Sequence, residues 1–208
     1  MSIWAIVPAK SFKRAKTRLA PVLSPEERQL ISRNFLTHTL EVLKLVDEVQ
    51  RTLVISRDAA VLRLARKHQA YTVTEADHTE LNAALTRAAD VAAHLGAHAI
   101  LIMPSDMPLL DPSDIRQLIA ATDEPECITI APDWRNYGTN ALFMRPPRVI
   151  PFVFGPGSFE NHVALARDRG AHVEVCRLPG LGLDVDLPED LAMYRKEVNK
   201  QTGKQVDR

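Results

Sequence analysis

Ala99-Ile100-Leu101-Ile102-Met103 runs straight into Pro104-Ser105-Asp106-Met107-Pro108. Five apolar residues without polar alternation predict a strand buried on both faces, the habit of a central parallel strand. The proline-bounded turn stops that strand and leaves Asp106 just past its carboxyl end. Open α/β sheets bind ligands in the crevice at that end of their strands. Asp106 is therefore a candidate site residue, although by itself it reads equally well as a turn or capping aspartate.

Upstream, residues 3–7 predict a first strand ending at Pro8, residues 49–56 a second, and residues 71–74 a short third. Ser24-Pro25-Glu26-Glu27 has the layout of a helix start, with Ser24 as N-cap, Pro25 at N1 and Glu27 closing a capping box. Leu30, Ile31, Phe35, Leu36, Leu40 and Leu43 then form an amphipathic stripe. Asp58 caps a helix to His68 with Val61, Leu64 and Ala65 inward. Thr79 or Glu80 opens another, with Leu81, Leu85, Ala88, Val91, Ala92 and Leu95 inward and Gly96 as its stop. Asp111-Pro112 starts the next helix. Downstream, residues 127–132 and 139–144 predict strands around a polar turn. A helix follows from Ser158 to about Arg169, then a strand at 172–178, a last short strand at 181–185, and a helix from Pro188 to about Val198. The pattern predicts an α/β fold, a mostly parallel central sheet flanked by helices. It forms a single domain over 1–198 with a fraying polar tail at 199–208.

The chain has 208 residues, with 26 basic and 26 acidic side chains and no net charge. That balance argues against a general nucleic-acid binder. No apolar run approaches the roughly 20 residues of a membrane helix, and the N-terminus lacks a signal-peptide layout. Cys127 and Cys176 lie in apolar runs and read as buried thiols in a reducing cytoplasm. A cytoplasmic location is expected, with no membrane partner; a homodimer stays open.

Against zero net charge, Lys10, Lys13, Arg14, Lys16 and Arg18 gather in nine residues after the first strand, with no acid among them. The plain reading is a solvated loop; at a strand's carboxyl end it is also a candidate triphosphate site. Asp184-Val185-Asp186 sets two acids at strand spacing inside an apolar run. Burying like charges is costly unless something neutralises them. With Asp106 they make three hard oxygen ligands suited to Mg²⁺, although Asp186 could instead cap the helix at Pro188. Gly155-Pro156-Gly157-Ser158 ends at a helix start and offers an anion site, or simply a capped turn. Gly138-Thr139-Asn140 adds a hydroxyl and an amide. No P-loop is present, and Glu160 stands where a dinucleotide fold needs its third glycine. His94 and His98 are separated by Gly96, and neither is expected to bind metal. His162 is expected at the surface or behind the site.

Together these pieces point to nucleotidyl transfer onto an acceptor that is already an anion. At this point the sequence resembles the guanylyltransferases of coenzyme F420 biosynthesis. The resemblance rests on Pro8-Ala9-Lys10, Ala15-Lys16-Thr17-Arg18-Leu19, Leu23-Ser24-Pro25-Glu26-Glu27-Arg28 and Leu81-Asn82-Ala83-Ala84-Leu85. It continues through Pro104-Ser105-Asp106-Met107-Pro108-Leu109-Leu110, Gly138-Thr139-Asn140-Ala141-Leu142, Phe154-Gly155-Pro156-Gly157-Ser158-Phe159 and 183–191. It implies the nucleotidyltransferase, GT-A-like version of the α/β sheet. It also implies transfer of GMP from GTP to phosphoenolpyruvate, 2-phospho-L-lactate or 3-phospho-D-glycerate. By resemblance, Asp106, Asp184 and Asp186 hold Mg²⁺, and Thr139, Gly155 and Ser158 hold the acceptor. Lys10, Lys16 and Arg18 contact the triphosphate, with Leu81, Asn82 and Ser105 on the nucleotide; Lys10, Lys16, Arg18 and Asp106 are the expected catalytic set. Ser11-Phe12 departs from the family's Pro-x-Lys-Pro-like opening but keeps the cations. Two alternatives stand beside this reading: a sugar-phosphate or molybdenum-cofactor nucleotidyltransferase, and a non-catalytic nucleotide-binding domain.

Overall fold

A computed structural model describes residues 2–75 and 80–206, with side chains through Lys200. Seven strands form one sheet: β1 (Ile3–Pro8), β2 (Val49–Ser56), β3 (Tyr71–Thr74), β4 (Ala99–Ile102), β5 (Cys127–Pro132), β6 (Thr139–Arg145) and β7 (His172–Val175). Their order is β3-β2-β1-β4-β6-β5-β7, and only β6 runs antiparallel to its neighbours. β1 lies between β2 and β4, so successive crossovers leave it in opposite directions. That reversal opens a crevice at the carboxyl ends of β1 and β4.

The helices are α1 (Pro25–Lys44), α2 (Ala59–Lys67), α3 (Leu81–His94), α4 (Pro112–Ala120), α5 (Ser158–Asp168), a single turn α6 (Pro179–Gly182) and α7 (Pro188–Val206). Alternation along β1 and β4 divides the core in two, as the two-residue repeat of a strand requires. Ile3, Ala5, Val7, Ala99 and Leu101 pack with α1, α2 and α4, and Trp4, Ile6, Ile100 and Ile102 pack with α3 and α5. A smaller cluster of Leu19, Leu23, Phe35, Leu183, Val185 and Leu191 lies apart from both. It joins the segment after β1 to the one before α7.

The helix starts match expectation: Ser24 and Glu27 form a full capping box, as do Asp111 and Asp114, and Asp58 caps α2. Glu80 is the N-cap of α3, and Thr79 lies outside the described residues. Several expected inward residues are corrected. Leu30, Leu81, Val91 and Leu95 are exposed, whereas Ala84, Leu85, Ala88, Ala89 and Ala92 are buried. An alanine face lets the α3 backbone approach the sheet closely, which turns the larger side chains outward. Cys176 is only half-buried, unlike Cys127. β7 ends at Val175, three residues early, and α7 continues beyond 198 to Val206.

The expected strand at 181–185 is absent: α6 occupies 179–182, and 183–185 is extended without a strand partner. The alternating apolar pattern is present, but Val185 N–H donates to the Asp106 carbonyl (3.1 Å) in place of a ladder. Gly180 allows α6 to fit here. A Cβ on it would sit 2.0 Å from Asp114 Oδ2 and 2.7 Å from the Leu109 carbonyl. Gly180→Ala should therefore destabilise the protein by about 2–3 kcal/mol through overpacking. Gly182→Ala, with nothing within 4 Å of its added carbon, is the control and should cost under about 1 kcal/mol. Urea melts of the two variants check this, and equal midpoints would sink it.

Candidate active site

The loop after β1 is fixed by its own unusual residues. Asp58 Oδ2 accepts from Ser11 Oγ (2.8 Å) and Phe12 N–H (3.1 Å), and the Phe12 ring is buried. Ser11-Phe12 thus anchors the loop to the start of α2. The five cations then separate into two groups. Lys10, Lys13 and Arg14 are exposed and form no ion pair with any described residue. Lys16 is buried, with its backbone in the left-handed region at φ 54°, a costly conformation for a residue with a side chain. Its ammonium donates to Asp106 Oδ2 and lies 3.9 Å from Asp186 Oδ1. Arg18 reaches Asp186 Oδ2 at 2.9 Å. The loop and both acidic segments therefore meet at the crevice beside β1 and β4.

Leu183 and Val185 enter the small third cluster, which directs Asp184 and Asp186 to the opposite side. Asp184 is half-buried. Burial first, and the nearby Asp106 carboxylate second, push its pKa up to about 6, while the Asn140 amide works against them. Asp106 Oδ1 is buried without any hydrogen-bond partner. Unrelieved charge and an orphaned oxygen suit a cation with hard oxygen preference. Among the described residues no three acids stand close enough to enclose a metal, because Asp186 is turned to Arg18 and Lys16. The Asp106–Asp184 pair fits Mg²⁺ nonetheless, since that ion takes one or two carboxylates and completes its shell with water and phosphate.

Two residues that sequence reasoning undervalued hold this arrangement. Asn140, the second residue of β6, donates to the Leu181 carbonyl (2.9 Å), the Gly182 carbonyl (3.2 Å) and Asp184 Oδ1 (3.3 Å). Asp190 is fully buried and accepts four hydrogen bonds: from Trp134 Nε1, Arg135, and the backbone N–H groups of Asp186 and Leu187. As the third residue of α7, it reaches back over the helix start as a capping-box acid does. Its position two residues after Pro188 was the available signal.

The glycine turn lies at the N-terminus of α5. Gly155 (φ 140°) and Gly157 (φ 69°) hold left-handed conformations that any side chain would strain. Asn82 has both side-chain polar atoms on the backbone of Phe154, accepting from its N–H (2.8 Å) and donating to its carbonyl (3.0 Å). Its amide therefore supports the glycine turn. Leu81 is exposed at the first turn of α3, and Ser105 is half-buried beside Asp106. Ser158 and Thr139 are buried, and Thr139 Oγ1 lies 3.1 Å from Nδ1 of His162, on the helix that Ser158 opens. His162 is fully buried, not superficial, and lies behind Thr139.

The family profile described as "Guanylyl transferase CofC like" matches residues 3–198. A phosphoenolpyruvate guanylyltransferase of Rubrobacter xylanophilus is 42% identical over 192 residues, covering 92% of this chain and 93% of its own. A 2-phospho-L-lactate guanylyltransferase of Methanothermobacter thermautotrophicus is 37% identical over 191 residues, covering 92% and 83%. Among solved structures, a nucleotidyl transferase from Methanothermobacter superposes with a TM-score of 0.74 at 18% identity, covering 96% of this chain and 99% of that one. The last similarity shows the nucleotidyltransferase fold; the first three carry more. With its acids, cations and glycine turn in place at one sheet edge, the chain belongs to the CofC-like guanylyl transferase family.

Proposed function

We propose that this protein transfers GMP from GTP to a small phosphorylated carboxylic acid, phosphoenolpyruvate or 2-phospho-L-lactate, as a step of coenzyme F420 biosynthesis. The observation that carries the reading is the start of β6. Thr139 reaches His162 on the glycine-turn helix, while its neighbour Asn140 reaches Asp184. One strand thus sets an anion-binding turn against a carboxylate pair, the arrangement that two phosphorylated substrates require.

The acceptor's phosphate oxygen attacks the α-phosphorus of GTP. A new P–O bond forms, the bond to the bridging oxygen of the β-phosphate breaks, and pyrophosphate leaves. The attacking group is already an anion, so no side chain has to remove a proton. Lys10, Lys13 and Arg14 are the free cations for the triphosphate, and Lys16 and Arg18 neutralise Asp106 and Asp186 at its edge. Mg²⁺ on Asp106 and Asp184 would supply charge neutralisation of the phosphates. Thr139, Gly155 and Ser158 bind and orient the acceptor at the α5 N-terminus. Among the described residues no helix is long and apolar enough to cross a membrane, and we place the reaction in the cytoplasm.

The test is a mass-spectrometric screen of phosphoenolpyruvate, 2-phospho-L-lactate and 3-phospho-D-glycerate against GTP and ATP, with Mg²⁺. The expected result is one guanylylated acid with stoichiometric pyrophosphate. No pyrophosphate from any pairing would overturn the reading.

A further inference from the structure

Among the described residues His162 is the one buried histidine, and its ring is bonded on both nitrogens in a way that decides where its proton sits. The Val153 backbone N–H points at Nε2 (3.1 Å), and a backbone N–H can only donate. Nε2 is therefore the acceptor. Burial pushes the ring's pKa down to about 4, so at neutral pH it carries a single proton. That proton must be on Nδ1. Nδ1 lies 3.1 Å from Thr139 Oγ1. The ring also packs against Phe154 in an edge-to-face arrangement, 4.8 Å between centroids.

We propose that His162 is a positioning residue for the acceptor: its Nδ1–H donates to Thr139 Oγ1, which leaves the Thr139 hydroxyl proton to be donated to the phospho-acid. With the opposite tautomer Thr139 would donate backward into the protein and meet the anion with lone pairs. The fixed ring thus turns an ambivalent hydroxyl into a donor aimed at the site. The same ring, carried on α5, ties Val153 of the strand-to-turn connection to Thr139 of β6. This inference rests on the acceptor lying at Thr139 and Ser158, as proposed above.

Two substitutions separate positioning from packing. His162→Phe keeps the ring volume and loses the donor; His162→Asn loses volume and restores an amide N–H at the Nδ1 position. The expected result is a roughly tenfold rise in KM for the phospho-acid in His162→Phe, the loss of one hydrogen bond's worth. KM for GTP should move less than twofold, and His162→Asn should recover most of the loss. Thr139→Val should match His162→Phe, and combining the two should add nothing further. A purely structural histidine would reverse the order, with Asn worse than Phe, and that result would overturn the proposal. ¹⁵N NMR of the wild-type imidazole at pH 7 decides the matter even if a variant fails to fold. A proton on Nδ1 is expected, and a proton on Nε2 overturns the assignment. Wild-type protein that guanylylates no acid would instead overturn the functional reading beneath it.

Discussion

Asp184→Asn should yield a protein more stable than wild type at pH 7.5 in the absence of divalent cations, yet slower by roughly 10²–10³-fold in turnover. Both effects have the same origin. The Asp184 carboxyl titrates at about 6 in the folded protein, above its ordinary 3.8. A group that binds its proton more tightly when folded favours the native state below pH 3.8, and that advantage is lost as pH rises through about 6. At pH 7.5 the ionised group is a burden of at most roughly 3 kcal/mol. Asn removes the charge and can still accept from Asn140. For a domain of this size a full recovery would raise Tm by about 6–12 °C. The gain should vanish near pH 4, where the wild-type carboxyl is protonated. Mg²⁺ should raise Tm of the wild type and leave the variant unmoved. Equal melting points at pH 7.5 would show that Asp184 carries no stored electrostatic cost.

Lys16→Met should instead lower stability and turnover together. It keeps the aliphatic stem and removes the one charge that bonds Asp106 directly among the described residues. Asp106 would then face Asp184 with one oxygen already unpartnered. Breaking a buried pair by removing one member costs about 3–5 kcal/mol. Asp106 retains 25% exposure, which puts the expectation at the lower end, about 3 kcal/mol. Turnover should fall by roughly 10²–10³-fold as Asp106 loses its set position. Adding Asp106→Asn to Lys16→Met should return most of the stability and none of the activity. If Lys16→Met melts with the wild type, the ion pair does not hold the site.

What could be read from the sequence was mostly local. Capping boxes at Ser24 and Asp111 and the apolar runs of β1, β2 and β4 are decided within a few residues, and they lie where expected. The alternation that sends Leu183 and Val185 inward and Asp184 and Asp186 outward was likewise legible. Its strand was not, because a strand also needs a partner, and this stretch found the Asp106 carbonyl instead. The division of the basic loop was hidden for the same reason. Nothing near Lys16 marks it as the buried member, since its partner Asp106 is 90 positions away. The α3 face was misjudged because large apolar residues outweigh alanines in any hydrophobic pattern, whereas close packing on a sheet favours the small ones. His162 could not be placed from sequence, as burial alone distinguishes it from a surface histidine four residues after a helix start.

The small cluster beneath the aspartates also joins the two ends of the chain in time as well as in space. Arg18 and Asp186 are bonded across 168 positions of chain. At roughly 5–20 residues per second of synthesis, the basic loop waits on the order of ten to thirty seconds for its acidic counterpart. Through that interval Leu19 and Phe35 lack the Leu183, Val185 and Leu191 that cover them in the finished protein. The aspartate segment is made only after β1, β2 and β4, so the cover over Leu19 and Phe35 is completed late.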